Sequence, residues 1–427
     1  MNVQCLRDTR GQGDNAIHRL AVHFHERVTA NNDAYAGIHP LVALHSHQAE
    51  LGPLVQKALT CLDRRPQLIC VTRGPGMRSN LAVGLNTAKG LALGLNVPLV
   101  GVHHMQAHAL TPRLVHAMAK SKQTGPVPGM GVEYPFLTML VSGGHTLLLD
   151  SQSGIEHRIL AETHDIAIGT CIDKAARVIL PPEMLRMPYG KALEDFAFPK
   201  GASSYDYTPP KRRQDELERR RTRWGWAVGP PLADSNARNS SRRMMYSFGG
   251  LLTAVERFMQ FERDSVGHVS VQKPRQPNAI SIEERREMAC EVQRVAFEHL
   301  ASRIILYLTT IRDSGNNIPK TLVVSGGVAS SRYLRHVLRN ILDVRGFEDI
   351  ALNFPPIELC TDNALMIAWA GYEMFLSGYS SQLDIGPLHK WSLDPKADDG
   401  GILGVGGYHP RRLEGPLLNL LEYVEPT

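Results

Sequence analysis

Several features are missing from this sequence of 427 residues, and each absence argues against a class of protein. No apolar run reaches 18 residues, so nothing in the sequence predicts a membrane-spanning helix. The six cysteines are scattered without a Cys-x-x-Cys pair, which favours a reducing compartment over a disulfide-stabilised fold. The N-terminus lacks the apolar segment of a secretory signal. It carries Arg7, Arg10 and Arg19, but Asp8 and Asp14 argue against a mitochondrial presequence.

The composition is that of a globular protein, with 43% hydrophobic and 21% charged residues. The length predicts two or three domains that share a core. The net charge is +5, and residues 200–245 alone carry +6, which leaves −1 for the rest of the chain. We name residues 200–245 the basic segment. Such a block of charge is typical either of a solvated insertion or of an arm that binds a polyanion.

Two histidines at helical spacing form the first candidate site. His104 and His108 follow the apolar run Val97–Val100, which predicts a buried strand, and they begin a segment with helical character. Residues four apart lie on one helix face, which is the spacing that a transition metal needs for two nitrogen ligands. An isolated pair of this kind is more often structural, so the prediction depends on later stretches.

The first part of the chain predicts alternating helices and strands. Residues 40–59 have the pattern of an amphipathic helix, and 68–72 that of a short buried strand. A loop at 73–76 precedes a second helix through Leu95, for which Ser79 or Asn80 could be the cap. With the strand before His104, this order predicts an α/β fold.

The tetrapeptide Val-Ser-Gly-Gly occurs twice, each time at the end of a predicted buried strand. The first copy ends the strand 136–141 and leads through His145 into a return strand at 146–149. The second copy ends the strand 322–324 and leads into a helix through Asn340. Paired glycines let backbone N–H groups approach an anion, although the first copy could also be an ordinary hairpin turn. A duplicated phosphate loop is characteristic of the two-lobed actin, Hsp70 and sugar-kinase superfamily (the ASKHA fold).

Asp362 precedes a predicted helix that begins at Ala364. It could cap that helix or be a metal ligand. Together with the three stretches above, Cys360-Thr361-Asp362-Asn363 completes a pattern of four ordered motifs: His-His-Met-Gln-Ala-His, Leu-Val-Ser-Gly-Gly-His-Thr, Val-Val-Ser-Gly-Gly-Val and Cys-Thr-Asp-Asn. This pattern resembles the TsaD family of tRNA threonylcarbamoyladenosine transferases, once described as O-sialoglycoprotein endopeptidases. The resemblance runs from about Tyr35 to Asp394, and His145 in place of Asn is similar to the bacterial and mitochondrial branch.

The resemblance implies a two-lobed α/β fold of the ASKHA type. We expect a first lobe at 1–130, a second lobe at 131–377 with the basic segment as an insertion, and a C-terminal extension at 378–427. By position, the implied metal ligands are His104, His108 and Asp362. The implied substrate-binding residues are Val141, Ser142, Gly143, Gly144, His145, Asp173, Gly190 and Ser331, with Asp173 at the ribose. The family's Ser-Phe-Ser-Gly-Leu stretch is similar to residues 247–251.

The implied reaction transfers a threonylcarbamoyl group from threonylcarbamoyl-AMP to N6 of adenosine 37 in tRNAs that read codons beginning with A. It implies one divalent metal ion, iron or zinc, as cofactor. The implied partners are tRNA, a separate synthase that supplies threonylcarbamoyl-AMP, and a second copy in a homodimer, with no membrane. The family branch implies a mitochondrial location, with the cytoplasm as alternative. The candidate tRNA-binding residues are Arg212, Arg213, Arg219, Arg220, Arg221 and Arg223.

The sequence departs from the family pattern at three places. Ser331 stands where the family usually has Asn, and Ile166 stands where a second Asp is usual. The family opens with a strand that ends in Glu-Thr-Ser-Cys-Asp, which has no counterpart here, and the apolar piece 20–24 suffices for one strand at most. We therefore expect a first lobe that lacks its opening strands, in an N-terminally incomplete chain that expresses poorly and transfers slowly or not at all. A restored upstream segment should rescue both properties.

Three other functions compete with the transferase. A zinc peptidase of the His-Glu-x-x-His type needs Glu where this chain has Met105. A sugar kinase or ATPase of the same superfamily would not need the histidine pair. A degenerate tRNA-binding paralogue without catalytic activity would account for the absent opening motif. No side chain is required as a general base, for which His103 and His145 are candidates.

Overall fold

The computed structural model describes residues 2–9, 19–30, 39–122, 132–218, 222–233, 244–263 and 269–410. The described strands are β1 (Asn2–Thr9), β2 (Arg19–Arg27), β3 (Ile69–Gly74), β4 (Leu99–His103), β5 (Phe136–Val141), β6 (Thr146–Ser151), β7 (His157–Thr163), β8 (Met245–Tyr246), β9 (Phe261–Arg263), β10 (Val269–Pro274), β11 (Thr321–Ser325), β12 (Ala351–Asn353), β13 (Tyr379–Ser381) and β14 (Tyr408–Pro410). The described helices are α1 (Pro40–Thr60), α2 (Arg78–Leu95), α3 (His104–Lys122), α4 (Ile168–Ile179), α5 (Tyr189–Ala197), α6 (Arg213–Glu216), α7 (Gly249–Gln260), α8 (Ile282–Asp313), α9 (Arg332–Val344), α10 (Ile357–Cys360), α11 (Ala364–Leu376) and α12 (Gly401–Gly404). The predicted mixed α/β class is confirmed.

The chain packs into two compact units. Unit 1 contains residues 1–135, 151–158 and 361–427, and unit 2 contains residues 136–150 and 159–360. This division differs from the expected segments at 1–130, 131–377 and 378–427. Residues from 361 onward pack with the beginning of the chain because α11 lies against α3 and β3. Unit 1 is therefore discontinuous in sequence.

Unit 1 is built on a sheet with strand order β14-β13-β4-β3, in which β3 and β4 are parallel. The predicted alternation of strand and helix from residue 40 onward is confirmed by α1, β3, α2, β4 and α3. The predicted cap of α2 is wrong. Met77 is the N-cap and provides no side-chain bond, and the Ser79 hydroxyl donates to the side-chain oxygen of Asn80 inside the first turn.

The opening residues form two strands, so the expectation of one strand at most is wrong. Strands β1 and β2 are antiparallel, with Asn2 opposite Arg27 and Thr9 opposite Arg19. They form a two-stranded sheet, in which β1 lies against α11 and β2 against α3. The pairing shifts register between Cys5 and the next residue. Such a shift interrupts the alternation of apolar and polar residues by which a strand is predicted from sequence.

Unit 2 is built on a six-stranded sheet with the order β12-β11-β5-β6-β7-β8. Strand β11 is parallel to both β5 and β12, and all six residues of β5 are buried. Central parallel strands are covered on both faces, which explains why β5 and β11 are continuous apolar runs in the sequence. Helix α8 packs against α4, α5 and α9. None of the described helices is both long and apolar enough to cross a membrane.

Candidate metal centre and glycine loops

His104, His108 and Asp362 converge within unit 1. The Nε2 atoms of His104 and His108 lie 3.2 Å and 3.1 Å from Oδ1 of Asp362. The three ligand atoms all lie within 4.8 Å of one another. The histidine side chains are 19% and 6% exposed and that of Asp362 is 75% exposed, so the cluster is open to solvent on the carboxylate side.

Local structure accounts for each of these positions. Strand β4 runs directly into α3, so His104 is the first helical residue and His108 lies one turn later. At the other helix, the Asn363 side chain is the N-cap of α11 and accepts a hydrogen bond of 2.9 Å from the backbone N–H of Met366. Asn363, and not Asp362, therefore caps α11. The Asp362 carboxylate instead contacts the two histidines.

The charges of the cluster suit a cation. Burial lowers the pKa of His108 below its ordinary value, and Asp362 offsets only part of that effect, so the imidazole is held neutral. The surrounding protein would by itself raise the pKa of Asp362, but hydrogen bonds from His104 and His108 outweigh this and hold the pKa well below its usual range. Neutral imidazole and ionised carboxylate are the forms that bind metals.

The donor set also fits a first-row transition metal. An ion bound at about 2.1 Å separates neighbouring ligand atoms by about 3.0 Å in octahedral and about 3.4 Å in tetrahedral geometry. The distances of 3.2 Å and 3.1 Å from the imidazole nitrogens to Asp362 Oδ1 lie between these values. Two imidazoles and one carboxylate suit iron or zinc and leave further positions for other ligands.

The two glycine loops lie together in unit 2. In the first, the Ser142 hydroxyl accepts the backbone N–H groups of Gly144 and His145 at 3.3 Å and 3.0 Å, and the three residues from Gly143 to His145 are exposed. In the second, Gly326 adopts φ 101° and ψ 167°, and a Cβ there would lie 2.8 Å from the carbonyl carbon of Val141. The second loop therefore packs backbone against backbone on the end of β5.

The first turn of α4 is hydrogen-bonded to the first loop. The Gly169 N–H donates to the Ser142 carbonyl at 3.1 Å, and the Thr170 hydroxyl donates to the Gly143 carbonyl at 2.6 Å. A Cβ at Gly169 would lie 2.6 Å from the Ser142 oxygen. Only glycine permits this approach of helix to loop. The first Val-Ser-Gly-Gly copy thus forms a hairpin turn, and its exposed residues suit an anion site as well.

Asp173 and Gly190 are brought together in unit 2. Burial raises the pKa of Asp173, an effect reduced by a hydrogen bond from the Gly190 backbone. Gly190 lies in the first turn of α5, and Glu194 one turn later accepts the N–H groups of Arg332 and Tyr333 at 3.1 Å and 3.2 Å. Helix α5 therefore joins the Asp173 position to the start of α9.

Ser331 is the N-cap of α9. Its hydroxyl accepts the N–H of Leu334 at 3.0 Å. Ser331 stands where the family usually has Asn. Its hydroxyl oxygen accepts this bond, and its hydroxyl proton can still be donated to a ligand.

Asp165 organises the residues that resemble the family's Ser-Phe-Ser-Gly-Leu stretch. Its carboxylate accepts the Ser247 hydroxyl at 2.7 Å and the backbone N–H groups of Phe248 and Gly249 at 2.9 Å each. Partial burial favours its neutral form, but these hydrogen bonds outweigh burial and lower the pKa of Asp165. The carboxylate thus caps α7 from a distant part of the chain.

The basic segment includes buried residues among those that the structure describes, so it is not a solvated insertion throughout. Trp226 is 1% exposed and donates to Glu284 on α8 at 3.1 Å. Arg213 pairs with Glu216, a buried carboxylate that also receives Arg345.

Arg212 and Arg223 remain largely exposed. Arg212 pairs with Asp215 at 3.1 Å, and Arg223 lies 4.7 Å from the Trp224 ring and 3.8 Å from Glu287. The candidates Arg219, Arg220 and Arg221 lie outside the described residues.

Of the two histidines considered as a general base, His103 is held by its own hydrogen bonds. Both ring nitrogens of His103 are engaged: Nδ1 with the N–H of Met105 at 3.1 Å and Nε2 with the carbonyl of Trp391 at 3.1 Å. His145 lies at the exposed first loop. Met105 is 5% exposed, so the position that a zinc peptidase needs for glutamate is filled by a buried thioether.

Comparison with known proteins identifies the family. The family model described as TsaD: tRNA N6-adenosine threonylcarbamoyltransferase matches residues 23–369. The chain belongs to the TsaD family. A Schizosaccharomyces pombe protein named tRNA N6-adenosine threonylcarbamoyltransferase, mitochondrial, is 35% identical over 396 residues, which cover 91% of this chain and 82% of that protein. A Rhizobium meliloti protein with the same enzyme name is 32% identical over 410 residues, which cover 94% of this chain and 93% of that protein.

Two carboxylates of this TsaD protein were missed by the reasoning from sequence. Glu194 could have been found, because it lies four residues after Gly190 and hence on the same face of a predicted helix. Asp165, directly before Ile166, could not have been found in this way. Its partners at Ser247 and beyond are about 80 residues distant, and no local pattern signals that contact.

Proposed function

We propose that this protein transfers the threonylcarbamoyl group from threonylcarbamoyl-AMP to N6 of adenosine 37 in tRNAs that read codons beginning with A. The observation that carries the proposal is the convergence of His104, His108 and Asp362 in a member of the TsaD family. In the reaction, N6 attacks the carbonyl carbon of the carbamoyl group, and the bond from that carbon to the phosphate oxygen breaks. AMP leaves with the bonding electrons, and N6 loses a proton.

Because threonylcarbamoyl-AMP is already an activated anhydride, the protein needs only to bind and orient the two substrates. We assign the adenylate to unit 2, with the exposed residues Gly143, Gly144 and His145 at its phosphate. Asp173 would accept hydrogen bonds from the ribose hydroxyls, beside Gly190. Ser331 would donate its remaining hydroxyl proton. Fixed N–H groups stabilise developing charge without reorganisation, which supports a role for these loops in the transfer itself.

The metal would be held by His104, His108 and Asp362. When bound, an iron or zinc ion supplies a Lewis acid and a template for substrate oxygens. The low pKa of Asp362 keeps its carboxylate ionised, and the neutral His108 would offer the Nε2 lone pair in the tautomer that carries its proton on Nδ1. The buried Met105 supports transfer over peptide hydrolysis, because a water-activating carboxylate is absent from α3.

The remaining assignments concern architecture, partners and location. We propose that the two units are the lobes of an ASKHA-type fold, that a separate synthase supplies threonylcarbamoyl-AMP, and that the protein forms a homodimer. The mitochondrial name of the Schizosaccharomyces pombe relative supports a mitochondrial location. Arg212 and Arg223 are proposed as tRNA contacts because their side chains are 74% and 67% exposed.

The proposal is tested by incubating tRNA with the protein, threonylcarbamoyl-AMP and metal, followed by mass analysis of the nucleosides. The expected product is threonylcarbamoyladenosine, formed by the wild type and not by His104→Ala or His108→Ala, both of which should fold and lose the metal. Asp362→Asn should weaken metal binding without abolishing it, since the amide oxygen remains a ligand. Equal metal content in the wild type and His104→Ala would contradict the assigned site. Unmodified tRNA with metal-loaded wild type would contradict the reaction.

A further inference from the structure

His103 connects the start of the histidine helix to the C-terminal part of unit 1. It is the last residue of β4 and immediately precedes His104. Its side chain is 1% exposed. One ring nitrogen contacts the backbone of Met105 and the other the backbone of Trp391, 288 residues later. A buried imidazole with two backbone partners is fixed in position and orientation.

The two partners determine the tautomer of the ring. The N–H of Met105 can only donate, so Nδ1 is the acceptor. The carbonyl of Trp391 can only accept, so Nε2 carries the proton and donates. The neutral Nε2–H form is the one tautomer that satisfies both contacts. Through Nδ1, His103 satisfies a first-turn N–H of α3 that has no partner within the helix.

Trp391 is itself firmly held. Its indole N–H donates to the Gly401 carbonyl at 3.1 Å, and the ring centroids of Trp391 and His103 are 4.6 Å apart. The guanidinium of Arg73 lies 5.5 Å from the Trp391 ring and donates to the carbonyls of Gly386 and Gly406 at 3.2 Å and 2.8 Å. Trp391 is therefore a rigid anchor built from the C-terminal residues and β3.

The same residues also hold the strand that leads to His103. The N–H of Gly101 donates to the Ser381 hydroxyl at 3.0 Å, and the Tyr408 hydroxyl donates to the Gly101 carbonyl. These bonds hold β4 at Gly101, two residues before His103. The bond from the Met105 N–H to His103 then holds the first turn of α3 against the end of β4. The next residue is His104, whose orientation follows from that turn.

We propose that His103 is a positioning residue for the metal site, tethered by Trp391 so that His104 meets Asp362. Partners that orient metal ligands typically change metal affinity by about 10- to 100-fold when they are removed. The C-terminal residues 379–408 then contribute to metal binding without providing a ligand. This inference rests on the proposed metal site and adds a residue to it.

The two bonds can be removed one at a time. His103→Asn keeps an acceptor near the Nδ1 position and loses the bond to the Trp391 carbonyl. His103→Gln keeps a donor near the Nε2 position and loses the bond from the Met105 N–H. In His103→Leu both bonds are lost. The matched control is His389→Leu, because His389 lies two residues from Trp391, is exposed and bonds the Gly76 carbonyl at 3.0 Å.

The experiment titrates each purified full-length variant with Co²⁺, follows the visible absorption of the bound ion, and records a thermal melt without metal. We expect His103→Leu to bind Co²⁺ at least about tenfold more weakly than the wild type, with His103→Asn and His103→Gln between them and His389→Leu unchanged. If His103→Leu does not fold, the other two decide the question.

Wild-type affinity in both single-bond variants would overturn the inference, as would a lower melting temperature with unchanged Co²⁺ affinity. Failure of the metal site itself would look different. In that case His104→Ala would bind Co²⁺ as well as the wild type does.

Discussion

Arg113 of α3 and Glu373 of α11 form a partly buried ion pair that joins the helix of His104 and His108 to the helix that follows Asp362. Nε of Arg113 donates to the two carboxylate oxygens of Glu373 at 2.9 Å and 3.2 Å. Its Nη1 donates to the Val132 carbonyl at 2.8 Å, and its guanidinium lies 4.6 Å from the Tyr134 ring. The pair lies more than two turns along α3 from His104, so it fixes the helices at a distance from the ligands.

Replacing Arg113 should therefore destabilise unit 1. We expect Arg113→Met to lower the free energy of unfolding by about 3 kcal/mol, because Glu373 is left charged with an 11% exposed side chain. The double variant with Glu373→Gln should lose less than the sum of the two single variants. Urea denaturation measures all three. Lys191→Met, in an exposed pair with Asp195 at 3.0 Å, is the control and should cost less than about 1 kcal/mol. Equal losses of unfolding free energy for Arg113→Met and Lys191→Met would show that the burial of the Arg113 pair does not matter.

The second glycine loop should tolerate a methyl group at Gly327 but not at Gly326. Gly326→Ala places a Cβ against Val141 and forces an alanine into a backbone conformation that is essentially restricted to glycine. We expect a loss of more than about 2 kcal/mol in unfolding free energy. At Gly327 a Cβ would meet nothing within 4 Å, so Gly327→Ala should melt near the wild type. Similar melting temperatures for both variants would contradict the packing of this loop on β5.

Much of the fold follows from local sequence patterns. The continuous apolar runs of β5 and β11 predicted buried strands, and the spacing of His104 and His108 predicted a shared helix face, which the structure confirms. Caps were harder to predict, because Ser, Asn and Asp near a helix start compete for one position. Asn363 rather than Asp362 caps α11.

Contacts between distant residues were not predicted. Trp391 lies 288 residues from His103, and nothing local in either stretch signals the hydrogen bond between them. The strand β1 was missed because polar and apolar residues alternate only from Asn2 to Cys5, which is too short a stretch to predict a strand.

The stability of unit 1 should decrease in acid because of His157. This buried histidine engages the Ser151 hydroxyl and the Gly154 carbonyl at 2.9 Å and 3.2 Å. Burial lowers the pKa of His157 to about 4, against an ordinary value of 6.5. The unfolded chain therefore binds more protons between these values, and stability present above pH 6.5 is lost as the pH falls toward 4.

We expect this histidine to account for about 2 kcal/mol of the loss between about pH 7 and pH 4.5. The measurement is urea denaturation across that range. His157→Gln keeps a donor for the Gly154 carbonyl, does not titrate and should flatten the curve, whereas the exposed His25→Gln should follow the wild type. A curve for His157→Gln as steep as that of the wild type would assign the acid sensitivity to other groups.

The exposed arginines of the basic segment should contribute to the salt dependence of tRNA binding. Replacing Arg212 and Arg223 by Gln removes two cations, while Arg213 stays because its pairing with the buried Glu216 has a structural role. At roughly 0.7 to 0.9 per phosphate contact, the log–log slope should fall by about 1.4 to 1.8. Filter binding over a range of salt concentrations measures it. The exposed pair Arg64 and Arg65, replaced in the same way, serves as control. An unchanged slope in the first double variant would exclude phosphate contacts by these two residues.

The discontinuity of unit 1 has a consequence for how the protein is made. Asp362 follows His108 by 254 residues, and all of unit 2 lies between them. At ordinary rates of translation, the ribosome adds those residues in on the order of 10 to 50 s. A nascent chain therefore presents two histidines without their carboxylate, and without Trp391, until unit 2 has been synthesised. The proposed metal site is therefore completed only at a late stage of synthesis, and a product truncated before Asp362 would have only two of its three proposed ligands.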